Sequence, residues 1–457
     1  MRKELFSNEI TILRDTFRRL LRRRAKTNII KLIDKTHPAD LALLFRYFND
    51  NEQDEIFADL KESETTAEFL SELDESITIR LLENESPERI AQILEKASSN
   101  EQAYLMGLVD EKYATSVIDL LRAEKQEELE EMMAYPEDSA GILMYTDVFT
   151  LHEETKANDA IYALQDQEDA EMVFYLYTLD NDGRLTGVIS LRDLVTTPSD
   201  TMLKDIMSKQ IHVVRPETDQ EEVARIVSQY NFLAVPVVDS EDRLLGIVTV
   251  DDVVDIIREE ATEDFLQLVG VGKDREILLK SSWENARTRV PWLFASWVGG
   301  ILAAFIIGVF DDVLKSTIAL AAFIPVIMGM GGNIGTQSST MIVRGLATGR
   351  VSLENSVKIL FKEIRVGLIL GILYGLLLGL FAIFQFINVS PMIGVVVGLS
   401  ICISMIIAAT IGSLVPLILN RFEIDPAIAT GPFVTTAIDI LGVAFYFIVA
   451  GVFLNSV

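Results

Sequence analysis

Asp439 lies about 12 residues into an apolar run, 427–454, that follows Asp425 in the segment DPAIATGPFVTTAIDIL. A carboxylate at that depth of a lipid-spanning helix is costly, so its default meaning is a functional site. No Lys, Arg or His lies in the interior of any apolar run to form a structural salt bridge, which leaves a cation or a proton as the partner. A second polar cluster interrupts an earlier apolar run. After Pro325, the stretch GMGGNIGTQSST at 329–340 sets Asn333, Thr336, Gln337, Ser338 and Ser339 among four glycines. Small residues alone serve close helix packing, but packing does not need Asn, Gln and hydroxyls together. Kinked backbone with polar side chains is tolerated at membrane depth where it lines water, and the Gly431-Pro432 pair is expected to free carbonyls near Asp439. Only oxygen donors are on offer, because Cys402 is the single cysteine and His37, His152 and His212 lie outside the apolar runs. Such donors suit hard ions such as Mg2+, Ca2+ or Mn2+ over zinc or copper. Mg2+ keeps its waters, so a wide polar pore suits its hydrated form, and a symmetric dimer would bring two carboxylates to one axis.

These residues need lipid-length helices to hold them. Five apolar segments, roughly 290–310, 317–342, 364–387, 392–419 and 427–454, are each long enough to cross a hydrocarbon layer of about 30 Å. Arg287, Arg289, Arg344, Arg350, Lys358, Lys362, Arg365 and Arg421 fall on one side of the spans, and Lys315 falls on the other beside Asp311 and Asp312. The basic side is assigned to the cytoplasm. Five spans then put the C-terminus outside, in a multi-pass protein of the cell (plasma or inner) membrane. Of 68 acids and 40 bases in the chain, 61 and 31 precede residue 286, so the front part carries −30 and the back part +2. This division excludes a purely soluble enzyme, and the absence of a basic face excludes a nucleic-acid binder. No nucleophile–base pair, P-loop or metal-hydrolase motif is present, so the chain is not read as an enzyme. The single cysteine excludes a disulfide scaffold. The N-terminal MRKELFSNEITILRDTFRRLLRRRAK is basic but has no apolar stretch of the signal-peptide kind, so the acidic front part is expected in the cytoplasm.

The front part reads as two domains. Residues 1–133 have helical spacing throughout. HPADLALLF at 37–45 and SPERIAQIL at 86–94 are the same helix start, with proline just inside it, 49 residues apart. The expectation is a superhelical stack of short helices. Residues 138–260 carry a different repeat, of period 59. Arg184-Leu185-Thr186-Gly187-Val188-Ile189-Ser190 then Asp193 answers to Arg243-Leu244-Leu245-Gly246-Ile247-Val248-Thr249 then Asp252. Each copy predicts strand, tight turn, strand and helix. Ser190, Thr249, Asp193 and Asp252 occupy helix-capping and first-turn positions. The same places would serve a nucleotide cleft, with helix N-termini toward phosphate and Asp on a ribose. DDVVDIIREEATEDFLQLV, from Asp251, predicts one acidic amphipathic connecting helix.

The period-59 unit resembles a tandem CBS pair, a regulatory module that often binds adenine nucleotides. PVIMGMGGNIGTQSSTMIVRGLATG, DPAIATGPFVTTAIDI and the domain order together resemble the MgtE family of magnesium channels and transporters, along the whole chain. The resemblance implies a helical domain (1–133), a CBS pair (138–260), a connecting or plug helix (261–286) and a five-span domain (287–457). It also implies a homodimer whose second and fifth spans line the pore. Asp439 matches the family's selectivity carboxylate for hydrated Mg2+, Thr435 falls where a backbone carbonyl contributes, and Asn333 lies in the pore-lining stretch. Asp425 matches an acid at the cytoplasmic pore mouth. Glu221, Asp252, Asp255, Glu263 and Asp264 fall at acids that bind regulatory Mg2+. Asp193, Tyr175 and Phe232 fall at the nucleotide cleft, with ATP as regulator. Ca2+, Mn2+ and Co2+ stand as the other candidate ions. Two positions depart from the family: Asn231 stands for a Mg2+-binding Asp, which lowers the expected Mg2+ sensitivity, and Gly431 stands for an Asn near the filter.

Two protomers would bring together about −60 of cytosolic charge, screened beyond about 8 Å at physiological salt. Divalent ions bridging facing carboxylates would remove the repulsion and close the gate when cytosolic Mg2+ is plentiful. The rival reading is an H+- or Na+-coupled divalent carrier under CBS control, with Asp439 as its proton site; five spans divide badly into the inverted repeats such carriers use.

Overall fold

A computed structural model describes residues 2–60, 65–166, 174–271, 281–352, 355–422, 424–427 and 431–454. The chain divides into two compact units, Met1–Ile257 and Arg258–Val457.

Among the described residues, ten helices between Arg2 and Met133 build the start of the first unit. Both expected helix starts are present. Pro38–Phe45 is capped by His37, whose ring accepts from the Ala39 N–H, and Pro87–Leu94 follows Ser86. The 49-residue period extends to a buried polar device. The Gln53 amide donates to the carbonyls of Phe45 (2.8 Å) and Phe48 (3.3 Å), and the Gln102 amide donates to those of Leu94 and Ala97 (both 3.0 Å). Each glutamine satisfies carbonyls that the end of a short helix leaves without an internal partner.

The chain then joins the later of the two 59-residue repeats before it builds the earlier one. The Ala140 and Gly141 N–H groups donate to the carbonyls of Thr218 and Pro216 (both 2.8 Å), and Tyr145 exchanges backbone bonds with Ile247. In the first repeat, β1 (Thr150–His152) runs parallel to β2 (Tyr175–Leu179), which pairs antiparallel with β3 (Leu185–Ser190). In the second, β4 (Ala234–Val238) pairs antiparallel with β5 (Leu244–Thr249). Both hairpins break register at the same point, Thr178/Leu179 and Val237/Val238.

The hairpin turns are also alike. Asp180 accepts from the N–H groups of Asp182 and Arg184, and Asp239 from those of Glu241 and Arg243. These backbone bonds favour the ionised form and hold both carboxyls below the usual range. Gly183 takes the left-handed conformation (φ +79°) in one turn and Asp242 (φ 62°) in the other, the two residue types that tolerate it most readily. The turns meet, with the Leu185 N–H donating to the Asp242 carbonyl at 2.9 Å.

The hydrophobic cores separate the repeats. Phe149, Ala157, Leu176, Ile189, Leu194 and Leu203 form a core inside the first repeat. Val214, Val223, Val235, Val248 and Val253 of the second repeat belong to one continuous core with the helical domain, joined through Ala140 and Met144.

The connector helix, Val250–Leu268, carries the chain into the second unit as one element. The rest of the expected 261–286 connector includes residues 272–280, which lie outside the described residues. Among the described residues, five helices of membrane-crossing length and composition follow: Ser282–Val309, Ile318–Ala347 (a 3-10 turn, Ile318–Phe323, leading into an α-helix), Ser356–Gln385, Met392–Arg421 and Pro432–Leu454. We call them the first to fifth spans. At about 1.5 Å per residue, the shortest exceeds the hydrocarbon thickness. The fourth span is the most buried. The third lies along it, with Gly367, Gly371, Gly375 and Gly379 against the carbonyls of Met405, Cys402, Gly398 and Gly394. Phe305, Val309, Ile369 and Phe384 are open to the outside, as lipid-facing side chains are.

Candidate cation pathway and regulatory residues

The second, fourth and fifth spans cross where the polar sequence signals lie. Ile438 of the fifth span fills a notch made by Gly331 and Gly335 of the second, and a Cβ at Gly335 would stand 2.0 Å from the Ile438 methyl. On the other side, Gly335 meets the backbone of Gly412 in the fourth span. The Ser404 hydroxyl of the fourth span lies over both Gly331 and Gly442. These contacts fix the height of Asp439, the neighbour of Ile438. Asp439 is half-buried, and the fifth span contains no Lys, Arg or His.

The second span has two faces. Gly331, Ile334, Gly335, Ser338, Ser339 and Ile342 are buried, while Asn333, Gln337 and Thr340 lie open at positions i, i+4 and i+7. That row is one helix face. Within the hydrocarbon layer an amide–amide–hydroxyl row needs water or another polar surface.

Three sequence expectations change. The stretch 329–340 is continuous α-helix, and Pro325 sits harmlessly in its first turn, where its missing N–H has no partner to lose. No kink exposes backbone there; the side chains make the polar row. The Gly431-Pro432 pair also frees no carbonyl at Gly431, because Pro432 opens the fifth span and the Gly431 carbonyl accepts from the Thr435 N–H (3.2 Å) and hydroxyl (3.1 Å). Residues 428–430 of that segment lie outside the described residues. Finally, Glu363, which the sequence places outside the apolar segments, joins Asp439 as a carboxylate of the bundle. The third span starts at Ser356 and so contains Glu363, which is buried and accepts from the Ser338 hydroxyl at 2.9 Å. The apolar segment read from the sequence begins only at 364, and so leaves Lys358, Lys362 and Glu363 before the span.

Asp425 follows the fourth span and accepts from the Ala427 N–H at 2.8 Å, closing a short turn. The end of the connector also meets the start of the fifth span. A Cβ on Gly431 would stand 3.0 Å from the Leu268 carbonyl, and one on Gly270 would stand 3.1 Å from the Pro432 ring. Glycine at 431 therefore permits a close backbone approach that asparagine would obstruct.

In the first unit, Ser190 caps the helix Leu191–Thr196. Its hydroxyl oxygen accepts from the Asp193 N–H and its O–H donates to the Asp193 carboxylate at 2.6 Å. Tyr175 lies opposite Ser190 across β2–β3, so Tyr175, Ser190 and Asp193 share one edge of the first repeat. Phe232 belongs to the other repeat, in a ring stack with Tyr230 (5.4 Å) and His212 (5.5 Å), while His212 and Tyr230 stand 4.1 Å apart. His212 and Tyr230 were not singled out from sequence; only their aromatic character near the second strand pair could have marked them. Asp252 accepts from the Thr249 hydroxyl at 2.5 Å and from the Asn100 amide of the helical domain at 3.4 Å. Burial pushes its carboxyl up to about 6, and Asp251 and Asp255 add to the rise against the Thr249 hydrogen bond.

A family model described as a divalent cation transporter, MgtE, matches residues 324–449; the MgtE intracellular N domain matches 36–138, and the CBS domain matches 140–200 and 203–259. The magnesium transporter MgtE of Bacillus subtilis is 32% identical over 426 residues, 93% of this chain and 94% of its own. The chain belongs to the MgtE family of magnesium transporters. The MgtE of Thermus thermophilus is 37% identical over 352 residues, 76% of this chain and 77% of its own. The solved cytosolic domain of the Mg2+ channel MgtE in complex with ATP matches with a TM-score of 0.51 at 34% identity, covering 53% of this chain and 99% of that one.

As a member of the MgtE family, the chain is a membrane transporter of Mg2+ and not an enzyme. The oxygen-only donors of the bundle suit that cargo. The acids expected to bind regulatory Mg2+ are less assembled than their sequence grouping suggests. Among the described residues of this one MgtE chain, no three His, Cys, Asp or Glu side chains converge as a metal site. Glu263 accepts from the Gln267 amide at 2.8 Å, Asp255 is exposed and Asp252 is engaged by Thr249 and Asn100.

Proposed function

We propose that two copies of the chain enclose a Mg2+ channel between their second and fifth spans, with Asp439 of each at the selective point. The carrying observations are the half-buried Asp439, in a span without a basic residue, and the open row of Asn333, Gln337 and Thr340 on the second span. Two such carboxylates with amide and hydroxyl neighbours hold a cation through its water shell, as Mg2+ prefers. Thr435 keeps the start of the fifth span closed on itself, and Asp425 gathers cations at the cytoplasmic mouth. The N-terminal unit is cytoplasmic and the C-terminus outside, as the distribution of Lys and Arg directs.

Cytosolic Mg2+ closes the channel by bridging Glu221, Asp255, Glu263 and Asp264 between protomers. The contact of Leu268 and Gly270 with Gly431 and Pro432 supports this reading, since a shift of the connector reaches the fifth span without an intermediary. Asp252 joins the ion-binding set only when it leaves Asn100. ATP binds at Tyr175 and Asp193 with Phe232, and modulates the gate.

Single-channel recording from reconstituted full-length protein tests this reading, with Mg2+ varied on the side of the soluble domains. Wild type conducts Mg2+ and closes as that Mg2+ rises, while Asp439→Ala forms a folded dimer without Mg2+ current. A wild-type-like current in Asp439→Ala would remove Asp439 from the pathway, and an open probability indifferent to Mg2+ would remove the gate.

A further inference from the structure

Glu363 belongs to neither the pore row nor the acidic regulatory set, yet it is 5% exposed inside the bundle. A buried carboxylate in a membrane helix marks a function by default. It accepts from a neutral group: the hydroxyl of Ser338, itself 4% exposed, donates to it at 2.9 Å. Ser338 follows Gln337 directly and lies five residues after Asn333. It occupies the buried face of the second span, while Asn333, Gln337 and Thr340 occupy the open face of the same helix.

The buried face of the second span is made of apolar side chains, Ile327, Ile334, Ile342 and Val343, together with glycines and Ser338 and Ser339. That face is smooth at Gly331 and Gly335, where it meets Ile438 and the Gly412 backbone. Glycine surfaces permit close approach but offer few side-chain knobs against rotation or sliding. A directional hydrogen bond from a neighbouring span supplies what they lack. The third span offers such a partner, packed along the fourth with Gly367, Gly371, Gly375 and Gly379 against its carbonyls. We propose that Glu363 is a positioning residue for transport: through Ser338 it sets the rotation of the second span, and so the angle at which Asn333, Gln337 and Thr340 face the permeating ion. This assignment rests on the pathway proposed above. Glu363 touches no ion; it acts through the helix it holds.

The test uses Mg2+ and Ca2+ uptake by full-length protein in liposomes, with Glu363→Gln, Glu363→Leu, Ser338→Ala and the Ser338→Ala/Glu363→Leu pair. Glutamine keeps an acceptor for the Ser338 hydroxyl, so Glu363→Gln retains Mg2+ uptake within about threefold of wild type, whereas Glu363→Leu loses about tenfold or more. Glu363→Leu also lowers the Mg2+-to-Ca2+ ratio, a change that loss of folded protein does not produce. The double variant is no worse than Glu363→Leu, as expected of two groups acting through one bond. Equal loss in Glu363→Gln and Glu363→Leu would overturn the proposal in favour of a role for the charge. Additive losses in the double variant, or an unchanged ion ratio, would overturn it as well. Glu363→Gln and Ser338→Ala hardly change volume, so they keep the test decisive if the leucine variant does not fold. Asp439→Ala in the same liposomes separates failure of this assignment from failure of the pathway: the pathway stands if that variant is inactive.

Discussion

The two CBS repeats share a strand pair, a register break, a turn closed by Asp180 or Asp239, and a hydroxyl-plus-aspartate helix start. They differ in their neighbours. The first repeat keeps its core to itself and leaves Asp193 exposed, where a ligand can reach it. The second continues into the core of the helical domain and turns its matching Asp252 toward Asn100. One local sequence pattern thus yields a solvent-facing acid in one copy and a partly buried acid titrating near 6 in the other. What a repeated motif can do is decided by what covers it.

The largest expected effect tests the division of cores. Ile189 and Val248 are equivalent by the 59-residue period, and both are fully buried. Truncating either to alanine costs about 2–4 kcal/mol. In hydrogen exchange on the full-length protein, Val248→Ala should loosen the helical domain from Ser99 to Ile118, and Ile189→Ala should leave that segment protected. Equal loosening by both would mean that the cores are not separate.

A smaller effect comes from Asp252. Its carboxyl titrates near 6 when folded and near 4 when unfolded. The folded state therefore holds an extra proton between these values, so the stabilisation is complete below about pH 4 and is lost as pH rises through 6. Exchange protection around Asn100 and Asp252 should fall by about 1–3 kcal/mol across that window in Mg2+-free buffer. Asp252→Asn keeps the acceptor and should flatten the curve, while Asp193→Asn, its exposed counterpart, should not alter it. The smallest effect concerns nucleotide. Asp193→Ala should weaken ATP binding about tenfold, near 1.4 kcal/mol, by calorimetry, and Asp252→Ala should leave it unchanged. A weakening by Asp252→Ala of the same size would place the ligand astride both repeats.

Much of this was legible in the sequence because it is local. The five spans follow from apolar length, the repeats from their period, and the helix starts from Pro38 and Pro87. The polar stretch at 329–340 was found, but its geometry was misjudged: glycines and Pro325 suggest a break, and close packing against Ile438 and Gly412 keeps the helix whole. Glu363 was hidden by its charged neighbours, because hydropathy averages over a window and burial belongs to a single side chain. The link between Asn100 and Asp252 crosses 152 residues, and no local pattern announces it.

The joining of Ala140–Tyr145 to the second repeat has a consequence in time. The partners of this segment, from Pro216 to Ile247, leave the ribosome up to about a hundred residues later. At roughly 5–20 residues per second, that is a wait of about 5–20 s. Throughout it the nascent helical domain has emerged, but the apolar seam at Ala140 and Met144 has nothing to close against. The first repeat can fold meanwhile on its own core, and the seam is shut only when β5 is delivered, just before the first membrane span is made.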